Sequence, residues 1–211
     1  MTLPINHPLL LNGNKNMNKN TEIVNMFSLE GPDGSGKTTQ LPLIKSSLEG
    51  LGLKVRILKS PDVTPLGEFI RSNVQRLDPW LRNNLFMLDI NYTLRNLGTP
   101  DPSLVLLWDR YIDSFYTSNK EMTLTESLSL VHDLPKPRKT FLLDMDSAYI
   151  FTERKETLDQ HSEPVWLEQK VNRYRELAAL DPERIVKIDA RLPIEEVTRR
   201  ITHGIIQDLN K

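Results

Sequence analysis

Residues 26–40 read Met-Phe-Ser-Leu-Glu-Gly-Pro-Asp-Gly-Ser-Gly-Lys-Thr-Thr-Gln, and Gly31, Gly36, Lys37 and Thr38 within them fit the spacing G-x-x-x-x-G-K-[ST]. The chemistry explains the spacing. Glycines let the backbone turn tightly, so successive N–H groups point inward at phosphate oxygens. Asp33, Gly34, Ser35 and Thr39 complete that cradle. Lys37 places a compact positive charge on the β- and γ-phosphates, and the Thr38 hydroxyl can ligate Mg²⁺. A helix starting near Lys37 adds its positive N-terminal end to the same anion.

Four fixed positions arise by chance about once in a hundred chains of this length, so context has to decide. Val24, Met26, Phe27 and Leu29 precede the loop as an apolar run, and Leu41, Leu43, Ile44 and Leu48 follow it at helical spacing. Strand, glycine loop, helix is the arrangement the motif requires.

Working outward, the spacing predicts further strands at Val55–Leu58, Leu104–Trp108, Thr140–Leu143 and Ile185–Ile188. Helices are expected from Pro65 through Val74, from Leu81 to Leu97 after an interruption at Pro79, and from Thr125 to Leu134. Two more are expected from about Val165 to Leu180 and from Ile194 onward. Gly98 and Pro100 end the second of these helices, and Glu153–Glu163 is a charged stretch. Five strands alternating with helices imply an α/β three-layer sandwich, a five-stranded parallel sheet with helices on both faces. Ligands of such sheets bind beyond the carboxyl ends of the strands, where this chain carries Glu30-Gly31, Lys59, Asp109-Arg110, Asp144 and Asp189.

Composition narrows the classes. A length of 211 residues suits one domain with a sizeable core, and 38% hydrophobic with 26% charged residues is ordinary for a globular chain. A formal net charge of -1 argues against a dedicated nucleic-acid binder. The absence of cysteine rules out disulfides and thiolate chemistry and fits a reducing cytoplasm. No apolar run approaches the roughly 20 residues that span a bilayer, so no membrane partner is expected. Residues 1–22, rich in Asn and Lys from position 12 onward, read as a flexible tail preceding a single domain over 23–211.

Three constellations join the loop. Asp109, at the end of a buried strand beside it, can hold Mg²⁺ directly or through water, or can cap the next turn. Arg110 can clamp a phosphate with its planar fork. Lys59 and Arg71 can join Arg110 around a second phosphate facing the one held by Lys37. Two facing anion sites describe phosphoryl transfer between nucleotides, which needs in-line positioning and charge neutralisation.

The stretches FSLEGPDGSGKTTQ (27–40), TPLGEFIR (64–71), DRYIDS (109–114) and IDARLPIEEV (188–197) resemble thymidylate kinases, in order and spacing over most of residues 24–211. The resemblance implies the P-loop NTPase fold and transfer of the ATP γ-phosphate to a nucleoside monophosphate, dTMP, with Mg²⁺ and as a homodimer. By the same resemblance, Asp33 contacts the sugar 3′-hydroxyl, Phe86 stacks on the base and Arg110 clamps the monophosphate. Lys59 stands where the family has Arg, and Ser60 replaces the Glu that follows it. Glycine at position 34 resembles the subgroup whose catalytic arginine comes from a lid, here about 153–163, with Arg154 and Lys155 the nearest candidates.

The departures cluster around base and sugar. Ile90 stands where the family often has an arginine on the thymine edge, Ser118 where a tyrosine crowds the ribose 2′-hydroxyl, and Phe115 enlarges a small or polar position. Two rivals therefore accompany dTMP phosphorylation: a kinase of this fold acting on a different or modified nucleotide, and a nucleotide-binding regulator with little activity. Against the regulator stand the intact Lys37, Thr38, Asp109 and Arg110, and no Asn-Lys-x-Asp guanine reader follows a strand.

Overall fold

Each of the five apolar runs is a strand, and all five pair in parallel in the order β2-β3-β1-β4-β5. The strands are β1 (Met26–Glu30), β2 (Lys54–Lys59), β3 (Leu104–Asp109), β4 (Lys139–Asp144) and β5 (Ile185–Asp189). This computed structural model describes residues 25–97, 101, 103–154, 156 and 163–211. The tail 1–22, the stop signals Gly98 and Pro100, Lys155 and most of the 153–163 stretch lie outside the described residues.

The helices are α1 (Lys37–Gly50), α2 (Pro65–Asn73), α3 (Pro79–Arg95), α4 (Asp113–Thr117), α5 (Leu124–Leu130), α6 (Ser147–Glu153), α7 (Pro164–Leu180) and α8 (Ile194–Leu209). The period-two alternation of the strands divides the core between two faces. Phe27, Leu29, Leu107, Phe141 and Leu143 pack with Ile44 and Leu48 of α1 and Ile201 and Ile205 of α8. Met26, Leu106 and Trp108 point the other way, onto Ile90 of α3, while Leu142 meets Tyr174 and Leu177 of α7. Helices thus cover both faces, as the sequence pattern requires.

Two local readings change, and two short helices join those expected. Pro79 does not interrupt a helix: it occupies the first helical position of α3, where its missing N–H costs nothing, and the Asp78 side chain caps the turn by accepting from the Leu81 N–H (3.0 Å). The helix expected over Thr125–Leu134 ends at Leu130, and a turn closed by the Leu134 N–H on the Val131 carbonyl (3.0 Å) runs into Pro135. The short α4 and α6 carry too few turns to show a period.

Because β3 and β4 flank β1, successive connections leave the sheet centre in opposite directions and open a crevice at the end of β1. The glycine loop lies in that crevice. Register sets Asp109 opposite Leu29 on one side and Lys59 on the other.

Candidate active site

The loop between β1 and α1 is built around left-handed backbone. Gly31 (φ 146°), Gly34 (φ 80°) and Gly36 (φ 96°) all lie at positive φ. A β-carbon on Gly31 would stand 2.7 Å from Ser35 Oγ and 2.8 Å from the Leu143 carbonyl oxygen, so only glycine fits there. No side chain caps α1, and its first turn holds no acid, which leaves its N-terminal N–H groups for an anion.

Lys37 curls over the loop. Its buried ammonium donates to the carbonyls of Gly31 (2.9 Å) and Pro32 (2.8 Å). Burial pulls it well below the usual lysine range, and the Arg110 charge adds to that pull. A phosphate arriving beside it reverses the balance by favouring the charged form. Thr38 and Thr39 follow on the exposed side of the first turn.

Arg110 reaches the same place from β3. It is the one non-glycine residue with positive φ (62°) among the described residues, a conformation that costs about 1–3 kcal/mol and so has to be held by its neighbours. The holders are visible. Arg110 Nη1 donates to the Gly31 carbonyl (3.0 Å) and to Tyr174 Oη (3.1 Å), and Nη2 donates to Asp33 Oδ1 (2.5 Å). Beneath it the buried Glu30 accepts from the Tyr111 N–H (2.6 Å), Ser114 Oγ (2.7 Å) and Tyr174 Oη (2.9 Å). Burial, with Asp113 nearby, raises Glu30 above the usual carboxylate range, while Arg110 draws it down.

Asp33 is the meeting point. Lys170 of α7, itself buried, donates to its Oδ2 (2.8 Å) opposite the Arg110 contact. Burial pushes the Asp33 carboxyl up, yet Arg110 and Lys170 hold it well below the usual carboxylate range. Neither Lys170 nor Tyr174 is singled out by motif. The available signal was a lysine on the otherwise apolar buried stripe Leu167, Val171, Tyr174, Ala178 of α7.

Asp109 sits at the end of β3, and its Oδ1 is buried with no hydrogen-bond partner among the described residues. Next to this cluster a cavity of about 400 Å³ opens under α3, lined by Phe86, Ile90, Arg110, Tyr111, Phe115 and Ser118 among others. Ser118 caps α4, and the loop after it is fastened to α7 by Arg173, which donates to the carbonyls of Tyr116 (2.8 Å), Asn119 (2.5 Å) and Lys120 (3.0 Å).

Three more of the expected residues take no part in the hydrogen bonds just described. Lys59 is exposed at the end of β2. Arg71 spends Nη1 on the carbonyls of Pro61 (3.0 Å) and Asp62 (2.7 Å), bracing the turn after β2. The same turn is held from below by the buried Asp89, which accepts from the Asp62 N–H (2.9 Å) and Thr64 Oγ1 (3.2 Å). Arg154 ends α6, its N–H on the Ile150 carbonyl (3.0 Å), at the border of the undescribed 157–162 segment.

Residues 29–201 match the family model described as thymidylate kinase. A probable thymidylate kinase of Methanoculleus marisnigri is 31% identical over 193 residues, covering 85% of this chain and 93% of the relative. The thymidylate kinase of Syntrophotalea carbinolica is 30% identical over 198 residues, covering 83% and 92%. That of Mycoplasma capricolum is 27% identical over 204 residues, covering 88% and 96%.

Proposed function

The chain belongs to the thymidylate kinase family, and we propose from that premise that it transfers the γ-phosphate of ATP to dTMP, giving dTDP and ADP. One observation carries the reading: Lys37 and Arg110, from different elements, both donate to the carbonyl of Gly31 (2.9 and 3.0 Å). The cation of the proposed ATP loop and the cation lining the cavity therefore share one atom's neighbourhood, which supports a reading in which two phosphates face one another.

The steps follow from that geometry. Loop N–H groups and Lys37 bind the β- and γ-phosphates, and Arg110 grips the acceptor's phosphate. A phosphate oxygen of dTMP bonds to the γ-phosphorus as the bond to the β–γ bridging oxygen breaks, and ADP carries off that electron pair. Arg154 or Lys155, the nearest basic residues of the 153–163 stretch, would contact the moving phosphoryl. Asp33, fixed by Arg110 and Lys170, accepts from the sugar 3′-hydroxyl, with Phe86 under the base. Lys59 at the end of β2 and Arg71 in the last turn of α2 lend longer-range positive charge to the acceptor's phosphate.

Mg²⁺ fits this site. The orphaned Asp109 Oδ1 and the exposed Thr38 hydroxyl are hard oxygen ligands on adjacent elements. Among the described residues no three His, Cys, Asp or Glu gather as a metal cage, so these two would hold the ion together with the nucleotide's phosphates. When bound, the ion neutralises charge on the β- and γ-phosphates. Among the described residues no helix is long and apolar enough to cross a membrane, and the cysteine-free composition supports a cytoplasmic setting.

An ADP-release assay over a panel of nucleoside monophosphates tests the reaction: turnover is expected with dTMP, and ADP release no faster than with ATP alone for every acceptor would overturn it. Ser118 makes a second expectation measurable. Without a bulky ring at C2′, the preference in kcat/KM for dTMP over its ribose counterpart is expected to be weak, and Ser118→Tyr is expected to strengthen it about ten-fold. Strong wild-type discrimination unchanged by tyrosine would assign the 2′ position to another side chain.

The protein also pairs with a second copy of itself. Trp80, Leu88 and Tyr92 form an exposed stripe at multiples of four along α3, with Phe69 of α2 likewise exposed. Such a stripe on a two-fold axis meets itself, so one substitution acts twice. Leu88→Glu is expected to raise the dimer dissociation constant about a hundred-fold, read by light scattering across a dilution series. An unshifted dimer would place the contact elsewhere.

A further inference from the structure

The acceptor cavity has a mostly apolar wall. Ile90, 1% exposed, offers no polar atom, and Phe115 sets its ring edge-on to Phe86, centroids 6.5 Å apart at 82°. A nucleotide base held against Phe86 still brings donors and acceptors in its ring plane, and a dry wall leaves them unpaired at a cost in affinity. One turn toward the N-terminus of α3 the wall changes character. Asn83 lines the cavity, is only 8% exposed, and its carboxamide makes no hydrogen bond among the described residues. Arg82 beside it lines the cavity too, and its guanidinium is likewise without a partner among the described residues.

The other asparagines of this helix and its C-terminal cap behave differently. Asn84, Asn91 and Asn96 each donate to the carbonyl four residues back, on Trp80, Met87 and Tyr92, at 2.8, 2.8 and 2.7 Å. Asn83 keeps its donor and acceptor for the cavity. Helical spacing sets positions 83, 86 and 90 on one face, so Asn83 and Ile90 flank Phe86 from opposite ends.

We propose that Asn83 reads the base of the acceptor nucleotide, with Arg82 donating to a ring carbonyl, and that the site takes 4-keto and 4-amino pyrimidine monophosphates alike. This rests on the kinase reading above. A carboxamide presents one acceptor beside one donor pair. To thymine or uracil its oxygen accepts from N3–H while its nitrogen donates to O4. To cytosine the amide turns over about its soft terminal torsion, the nitrogen donating to N3 and the oxygen accepting from the 4-amino group. An arginine at position 90 would be donor-only and would reject the amino group, whereas Ile90 imposes no such selection. Arg82, also donor-only, is served by the C2 carbonyl that both pyrimidine classes carry.

The test measures kcat/KM for dTMP, dUMP and dCMP with saturating ATP and Mg²⁺, in the full chain and in Asn83→Leu. The two pyrimidine classes are expected to lie within about ten-fold of each other in the wild type. Asn83→Leu is expected to lose at least about ten-fold on both, chiefly through the acceptor's KM, with the KM for ATP unmoved. A wild-type preference for dTMP over dCMP of about a thousand-fold or more, or wild-type kinetics in Asn83→Leu, overturns the inference while leaving dTMP phosphorylation standing. No turnover of any monophosphate overturns both together. Should the leucine variant melt early, the isosteric Asn83→Asp, which keeps acceptors and loses the donor, carries the same expectation on both substrates.

Discussion

Lys37→Ala is expected to lower kcat/KM at least about a hundred-fold while leaving the melting temperature within a few degrees of wild type. The two halves of that expectation have separate causes. Lys37 belongs to no apolar cluster: its ammonium contacts the carbonyls of Gly31 and Pro32 and the Ser35 hydroxyl at the loop itself. Alanine therefore opens no cavity in the layer between β1 and α1, where Phe27, Leu41, Ile44 and Leu48 supply the packing. On the proposed reading, what goes is a preorganised charge beside the transferring phosphoryl in a largely buried site, and such a charge is worth about 3 kcal/mol of barrier. Single-turnover kinetics beside a thermal melt make the distinction. Near-normal turnover would remove the loop from the chemistry, and a collapsed melt would recast Lys37 as a structural tie.

How far the sequence reaches is visible in particular residues. The sheet was legible because its strands are short apolar runs ending in polar residues, as at Leu104–Asp109, and parallel strands buried on both faces advertise themselves that way. The start of α2 was legible because Thr64, accepting from the Gly67 N–H (2.9 Å), stands ahead of Pro65, whereas the same signal at Asp78-Pro79 reads as a break because proline serves both purposes. Local chemistry written in consecutive residues reads well for the same reason: every atom of the glycine loop comes from one stretch. The Asp33 cluster does not. It needs Arg110 from β3 and Lys170 and Tyr174 from α7, residues 77, 137 and 144 positions from their partners Asp33 and Glu30, and no local period encodes such meetings. Arg71 adds a contact of the same kind at shorter range: its Nη1 braces the turn at Pro61 and Asp62, a role that its place in the sequence does not announce.

Arg110→Lys is the sharper test of the acceptor site, expected to cost about a hundred-fold or more in kcat/KM for dTMP although the charge is kept. The guanidinium here does three things at once, bonding the Gly31 carbonyl and Tyr174 through one nitrogen and Asp33 through another. Only a planar, five-donor group can hold those partners and still offer N–H bonds to a phosphate. A lysine ammonium, with three donors on one atom, would leave either Asp33 or the phosphate short. If it abandons Asp33, Lys170 alone holds that carboxylate, the sugar contact loosens, and KM for dTMP rises. If it abandons the phosphate, in-line geometry fails and kcat falls. The backbone adds a further cost, because position 110 sits at φ 62° and is stabilised by the side-chain contacts that lysine cannot reproduce. Measuring kcat and KM separately for both substrates resolves these routes, since neither should move the KM for ATP. Wild-type constants for dTMP in the lysine variant would mean that charge alone suffices at this position, and the two-point clamp would have to be given up.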